Sequence, residues 1–219
     1  MSGISFPDLD PHDRYKLLCG VVVPRPIALV TTLDENGSVN AAPFSFFNVF
    51  SEDPPLLVLG LQHKADFSPK DTTRNIHRSG QFVVHLVDEA LAAAMNDCAI
   101  DFPAGDSEVE ATGLKTLPSI DIDVPRLAAA PFALECRQHV ALAFGPGREL
   151  LVGEVLRLPA RDGLIDRDKM YVDFDAYRPI GRLFGNLYAA QRDTFALTRE
   201  SHAQWLARNG AVETSHQGQ

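Results

Sequence analysis

Residues 27–42 read Ile27-Ala28-Leu29-Val30-Thr31-Thr32-Leu33-Asp34-Glu35-Asn36-Gly37-Ser38-Val39-Asn40-Ala41-Ala42. β-Branched and apolar residues fill the first half, a composition suited to extended backbone. Asn36-Gly37 then interrupts it. An Asn-Gly pair between two strand-like runs specifies a tight hairpin, because both residues tolerate the positive φ of a turn that matches strand twist. An antiparallel pair is therefore predicted, with strands over 27–32 and 38–42. Pro24-Arg25-Pro26 forces an extended entry into it. Upstream, Asp10-Pro11 caps a short helix with proline at its first position. Tyr15, Leu18 and Cys19 share one face of that helix, and Gly20 closes it.

Downstream the pattern repeats. Pro54-Pro55 introduces an apolar strand over 56–61, and 82–87 reads as another. Strands over 132–144 and 150–158 are turned by Gly145-Pro146-Gly147. One helix is predicted over 69–78, ending at Gly80. Asp88 caps a second, whose Leu91, Ala94, Met95 and Cys98 recur with helical spacing. Residues 101–130 read as a long loop, 162–175 as irregular and 199–208 as a short helix carrying Trp205. The polar stretch 213–219 reads as disordered. The expected architecture is mainly β with a few helices: at least six strands, joined by hairpins and closed into a barrel that leaves no bare edge. The regular strand–helix alternation and glycine fingerprint of a dinucleotide-binding α/β fold are missing. Residues 1–198 are expected to form one domain, with 199–219 as an appended helix and tail.

Bulk properties narrow the function. The 219 residues are 45% hydrophobic and 22% charged, with a formal net charge of −9. That charge disfavours nucleic acid and anionic membranes as partners. Cys19, Cys98 and Cys136 are scattered, which fits a reducing compartment. No basic-then-apolar leader is visible, and no run approaches the ~20 apolar residues of a membrane span, so a cytoplasmic location is expected. His12, His63, His77, His85 and His139 are dispersed without metal-ligand spacing, so no metal is expected. No Gly-x-Ser-x-Gly nucleophile motif occurs. His85 and His139 lie in strand-like runs and read as hydrogen-bonded strand residues. Glu135 and Glu154 also fall in strands.

Two segments carry chemistry. Asn40-Ala41-Ala42-Pro43-Phe44-Ser45-Phe46-Phe47-Asn48 follows a strand and mixes apolar rings with amides and a hydroxyl. Such a segment suits a flat heteroaromatic ligand; the alternative is a core loop whose phenylalanines simply pack. Ser68-Pro69-Lys70-Asp71-Thr72-Thr73-Arg74-Asn75-Ile76 reads as a helix start with Lys70 in its first turn. A lysine there opposes the helix dipole by ~0.3–1 kcal/mol, and a phosphate would reverse that cost. The alternative is a solvated Lys70 offset by Asp71.

Together the segments resemble the flavin reductase-like, FMN-binding split-barrel family, related to nitrilotriacetate monooxygenase component B and flavoredoxin. The matching stretches are Pro24 through Thr32, Asn40 through Asn48, Lys70-Asp71-Thr72 with Asn75-Ile76, and Gly80-Gln81-Phe82-Val83-Val84. Shorter matches are Ala130-Pro131, Glu135-Cys136, Gly153-Glu154-Val155, and Gly181-Arg182-Leu183-Phe184-Gly185 with Tyr188. The resemblance implies a six-stranded antiparallel Greek-key split barrel and a homodimer with FMN near the subunit interface. It implies that 42–48, hence Pro43, Phe44, Ser45, Phe46 and Asn48, lies along the isoalloxazine. It implies that Lys70, Asp71, Thr72 and Asn75 hold the phosphate and ribityl end, with Arg25, Thr31 and Thr32 bordering the pocket. The activity it implies is NAD(P)H:flavin reduction, with hydride passing to flavin N5 and on to a partner oxygenase or other acceptor. A non-enzymatic FMN electron carrier, or an FMN enzyme acting on an organic substrate, stays open. No catalytic side chain is assigned; His139 is a candidate nicotinamide contact. The chain departs from the family pattern at His85, where asparagine is frequent, and at Phe184, where a second glycine is frequent.

Overall fold

The computed structural model describes residues 3–103 and 106–209. The predicted disordered stretch 213–219 lies outside the described residues. The first helix, α1 (Pro11–Val21), begins as expected, with Asp10 accepting the Asp13 amide at 2.9 Å. It continues through Gly20, and of the predicted face only Cys19 is buried.

The hairpin of β1 (Ala28–Leu33) and β2 (Val39–Phe44) turns at Gly37, where φ is +84°. Asp34 holds the turn by accepting the amides of Asn36 and Ser38 at 2.9 and 2.7 Å. There follow β3 (Phe47–Glu52), β4 (Pro55–Gln62), α2 (Asp71–Ser79), β5 (Gln81–Leu86), α3 (Ala92–Asp97) and α4 (Glu108–Ala111). The short pair β6 (Thr116–Leu117) and β7 (Arg126–Leu127) precedes the long hairpin of β8 (Ala133–Ala143) and β9 (Arg148–Arg157). Two short hairpins, β10 (Ile165–Asp166) with β11 (Tyr171–Val172) and β12 (Ile180–Arg182) with β13 (Tyr188–Ala190), lead to α5 (His202–Asn209). No helix among the described residues is long and apolar enough to cross a membrane.

The main sheet is antiparallel, in the order β2-β1-β5-β8-β9-β4-β3. Its two edge strands, β2 and β3, are consecutive in the chain and joined only by Ser45 and Phe46. Three Cα steps reach at most roughly 11 Å, so the sheet must curl until its edges meet. At the corner between them the Gly60 amide donates to the Phe46 carbonyl at 2.7 Å, carrying the β3–β4 pairing one step beyond Phe47 and Leu59. Only glycine permits this approach, since a Cβ on Gly60 would stand 2.9 Å from the Phe46 Cβ.

Two apolar layers follow from strand alternation. Ala28 and Val30 of β1 join Leu57, Leu59, Leu61, Ile76, Phe82 and Val84 inside the curl. Leu29 points the other way, towards Leu91, Met95, Cys98, Val109 and Leu127 under α3 and α4. The β2 edge is covered there: Glu108 Oε2 accepts the Ala41 amide at 3.0 Å, and the Ser107 hydroxyl donates to the Val39 carbonyl at 2.6 Å.

The structure corrects several sequence expectations. The main sheet has a seventh strand, β3, because 47–52 pairs with β4 instead of continuing the loop after Phe44. The stretch 101–130 contains α4, β6 and β7, and 162–175 contains the β10–β11 hairpin. Ser68 does not start α2. Its amide and hydroxyl both bond to Asp66, and Lys70 takes the N-cap position.

Candidate functional site

The site lies at the end of the sheet where β2, β4 and the start of α2 converge. Asn40, Pro43 and Phe44 come from β2; Gln62, His63 and Lys64 from the end of β4 and just beyond. Lys70, Asp71 and Thr72 open α2, and Ile100, Asp101 and Phe102 follow α3. Together they enclose a cleft of about 610 Å³, a size suited to a cofactor or drug-sized ligand. Pro43, Phe44, Gln62 and Lys70 also wall an adjoining cavity of about 460 Å³, completed by Tyr15, Ser45, Phe46, Phe144 and Arg148. A third hollow of about 370 Å³ lies on the far side of Asn40 and Asp71 and includes Asn75.

The start of α2 leaves several hydrogen-bond donors unmet. No side chain caps it. Among the described residues, the Asp71, Thr72 and Thr73 amides find no acceptor. Free first-turn amides are strong donors backed by the helix dipole. Thr72 is buried, and its Oγ1 accepts from Asn40 Nδ2 at 3.1 Å, which leaves the Thr72 hydroxyl proton to donate elsewhere. Lys70 stands at the mouth, exposed. Asp71, the one opposing charge in this turn, is paired with Arg74.

Other predicted site residues serve the scaffold. Arg25 is buried, and its guanidinium donates to the carbonyls of Cys19 (2.6 Å), Val22 (3.0 Å) and Leu183 (2.9 Å). It locks α1 to the turn of the β12–β13 hairpin and reaches Ser45 only at 3.4 Å. Thr31 points away, donating to the Pro125 carbonyl at 2.9 Å. Thr32 accepts from Asn75 Nδ2 at 3.0 Å, tying α2 to β1. Asn48 lies on β3, bonded to its neighbour's amide, and is not among the residues walling either cavity. His139 sits exposed where β8 slips register against β9, and Phe184 is also outside both walls.

His85 fills a structural role. Its Nδ1 faces the Leu29 carbonyl and its Nε2 receives the Leu127 amide, each at 2.8 Å. These partners fix a neutral ring, and complete burial pushes the imidazole down to about 4. Glu135 is likewise spent, accepting the amides of Ile120 and Asp121. Burial pushes the Cys98 thiol, on the cleft wall, up to about 11, so it is no thiolate nucleophile at neutral pH. No group of three or more His, Cys, Asp or Glu among the described residues is arranged to hold a metal.

Residues 21–181 match the flavin reductase-like domain model. The chain belongs to the flavin reductase-like family. This family member is similar to the 2-nitrobenzoate 2-nitroreductase of Pseudomonas fluorescens, at 42% identity and TM-score 0.85, over 92% of this chain and 98% of that one. It is similar to nitrilotriacetate monooxygenase component B of Bacillus cereus, at 36% identity and TM-score 0.86, over 90% and 98% of the two chains. A split-barrel flavin reductase structure from Shewanella frigidimarina shares the fold at TM-score 0.77 and 18% identity, over 90% and 100%. The flavin reductase-like protein is thus a mainly β split barrel of a flavin-binding family.

Sequence reading placed Pro43, Phe44, Lys70, Asp71 and Thr72 in one site, and they do share the larger cleft. It did not find Gln62, His63 and Lys64, nor Tyr15, Phe144 and Arg148 of the adjoining cavity. Each of these six lies at or just past a strand end, or on a helix. Only the pairing order of the sheet brings them together.

Proposed function

We propose that this flavin reductase-like protein binds FMN in the larger cleft, accepts hydride from NAD(P)H at flavin N5, and supplies electrons to a partner oxygenase or another acceptor. The observation that carries this reading is the uncapped start of α2, opening beside the apolar wall of Pro43 and Phe44. Lys70, the Thr72 hydroxyl and the first-turn amides would hold the phosphate. Pro43 and Phe44 would wall the ring and exclude water. Asn40 would orient Thr72, and the Arg74 pair would hold the Asp71 carboxylate off the phosphate. When bound, the flavin supplies two-electron chemistry that no side chain of the protein can perform. The chain's part is binding, orientation and access, and no protein acid or base is required for hydride arrival. A twofold dimer in the cytoplasm completes the reading.

A second reading, direct reduction of an organic substrate, is favoured by the adjoining cavity and by the 42% identity to a nitroreductase. Stopped-flow mixing separates the possibilities. Rapid bleaching of bound flavin by NADH or NADPH is the expected result. Inertness to both, with flavin bound, would leave an electron carrier in its place.

A further inference from the structure

The smaller cavity has a chemistry distinct from the cleft beside it. Its walls are aromatic: Tyr15, Phe44, Phe46 and Phe144. The Tyr15 and Phe46 rings have centroids 6.4 Å apart, tilted by 49°. Phe144 is 64% exposed, and Phe46 and Tyr15 also show about half their surface. Apolar surface left open around a cavity is surface a ligand can cover. A wall of rings favours another flat ring, which gains offset or edge contacts beyond simple burial.

The charges of this cavity are arranged asymmetrically. Lys70 and Arg148 line it, with a single carboxylate, Glu149. Glu149 is 7% exposed and already engaged. Its Oε1 lies 2.6 Å from His77 Nε2, on α2, and its Oε2 lies 3.6 Å from His63 Nε2. His63 Nδ1 faces the Pro146 carbonyl at 3.0 Å, so that nitrogen carries a proton. The acid is thus turned to two histidines. Arg148 spends one donor on the Gly147 carbonyl at 2.8 Å and pairs with no carboxylate among the described residues. A guanidinium carries five N–H donors in a planar fork matched to a carboxylate.

We propose that this cavity is a substrate subsite for a flat aromatic acid, its ring on the Phe44, Phe46 and Phe144 wall and its carboxylate on Arg148. The proposal rests on reading the adjoining cleft as the flavin site, because the shared walls Phe44 and Lys70 put such a ring next to that cofactor. It names the substrate class of the second reading above.

Benzoate is the probe and benzamide its uncharged counterpart. Their binding is followed by calorimetry and ligand-detected NMR, on protein with and without FMN. Benzoate is expected to bind at least about tenfold more tightly than benzamide, since charge-assisted hydrogen bonds outweigh neutral ones. R148Q should remove that preference and leave FMN affinity unchanged, while Phe144→Ala should weaken both probes. Arg148 is exposed, so an unchanged melting temperature for R148Q separates loss of contact from loss of fold. Equal binding of the two probes, or benzoate binding by R148Q as tight as by the unaltered protein, would overturn the proposal. So would FMN binding with no benzoate binding, a result that leaves the cofactor reading intact. Arg148-dependent benzoate binding in a protein that does not take FMN would support the subsite and count against the cofactor reading.

Discussion

Lys70 occupies the N-cap of α2 without capping it, so its ammonium is available to whatever the free amides behind it receive. Lys70→Ala should lower FMN affinity by roughly ten- to 150-fold, the equivalent of ~1.5–3 kcal/mol for hydrogen bonds to a charged group. Riboflavin, which lacks the phosphate, should bind as before. Calorimetry with both ligands checks this, and an equal loss for both would point to helix destabilisation instead. His85 gives a pH dependence. Burial pushes its ring from 6.5 down to about 4. The unfolded chain therefore takes up this proton at higher pH than the folded protein does, and the neutral ring favours folding. Its contribution is complete above about pH 6.5 and drains away as the pH falls towards 4. The gap is worth on the order of 3 kcal/mol. Urea titrations at pH 7, 5.5 and 4.5 should show that loss, and His85→Gln should flatten it. Gly153 is a packing constraint of another kind. A Cβ there would stand 2.4 Å from the Phe82 Cζ, deep inside the curl. Gly153→Ala should cost about 1–3 kcal/mol of stability through overpacking.

Among the elements, those bounded by strong turn chemistry were legible. Asn36-Gly37 announced the β1–β2 hairpin and Gly145-Pro146-Gly147 the β8–β9 hairpin, because turns are decided locally. Strand β3 was not legible. Its Asn48, Val49 and Phe50 are all exposed, so the alternation that marks a half-buried strand is missing. Ser68-Pro69 misled for a related reason: a serine before a proline has the form of a helix cap, but the Ser68 side chain bonds to Asp66 two residues back. Arg25 was placed near the site by resemblance, and only the packing of α1 against residue 183 reveals that its donors are committed. Helix α2 is held by Asn75 to Thr32 on one side and by His77 to Glu149 on another. Asn75→Ala would leave the buried Thr32 hydroxyl unpaired and should cost about 1–3 kcal/mol. Unlike Lys70→Ala, it should weaken FMN and riboflavin together, because it loosens the helix and not a single contact. Chemical denaturation beside the two ligand titrations tests this.

On the scale of the molecule, the two sheet edges are treated differently. Edge β2 lies under α4, whereas β3 leaves Val49 70% and Phe50 68% exposed. An open apolar edge invites pairing with another chain, and closed twofold dimers are the commonest assembly. Sedimentation at micromolar concentration should give a dimer, and Phe50→Glu should shift it towards monomer. FMN should also stabilise the fold. At about 100 times its dissociation constant it adds ~2.7 kcal/mol by mass action, so the melting temperature should rise more with FMN than with riboflavin. At the corner of the curl, the Gly60 amide meets the Phe46 carbonyl on the wall of the adjoining cavity. That bond is the last rung of the β3–β4 ladder, where fraying begins. Local opening there exposes that amide to solvent exchange without unfolding the rest of the sheet. Deuterium uptake at Gly60 should therefore slow when flavin is loaded, while uptake at Val30 in the middle of β1 stays unchanged. Loading the cofactor then quiets the fraying end of that ladder.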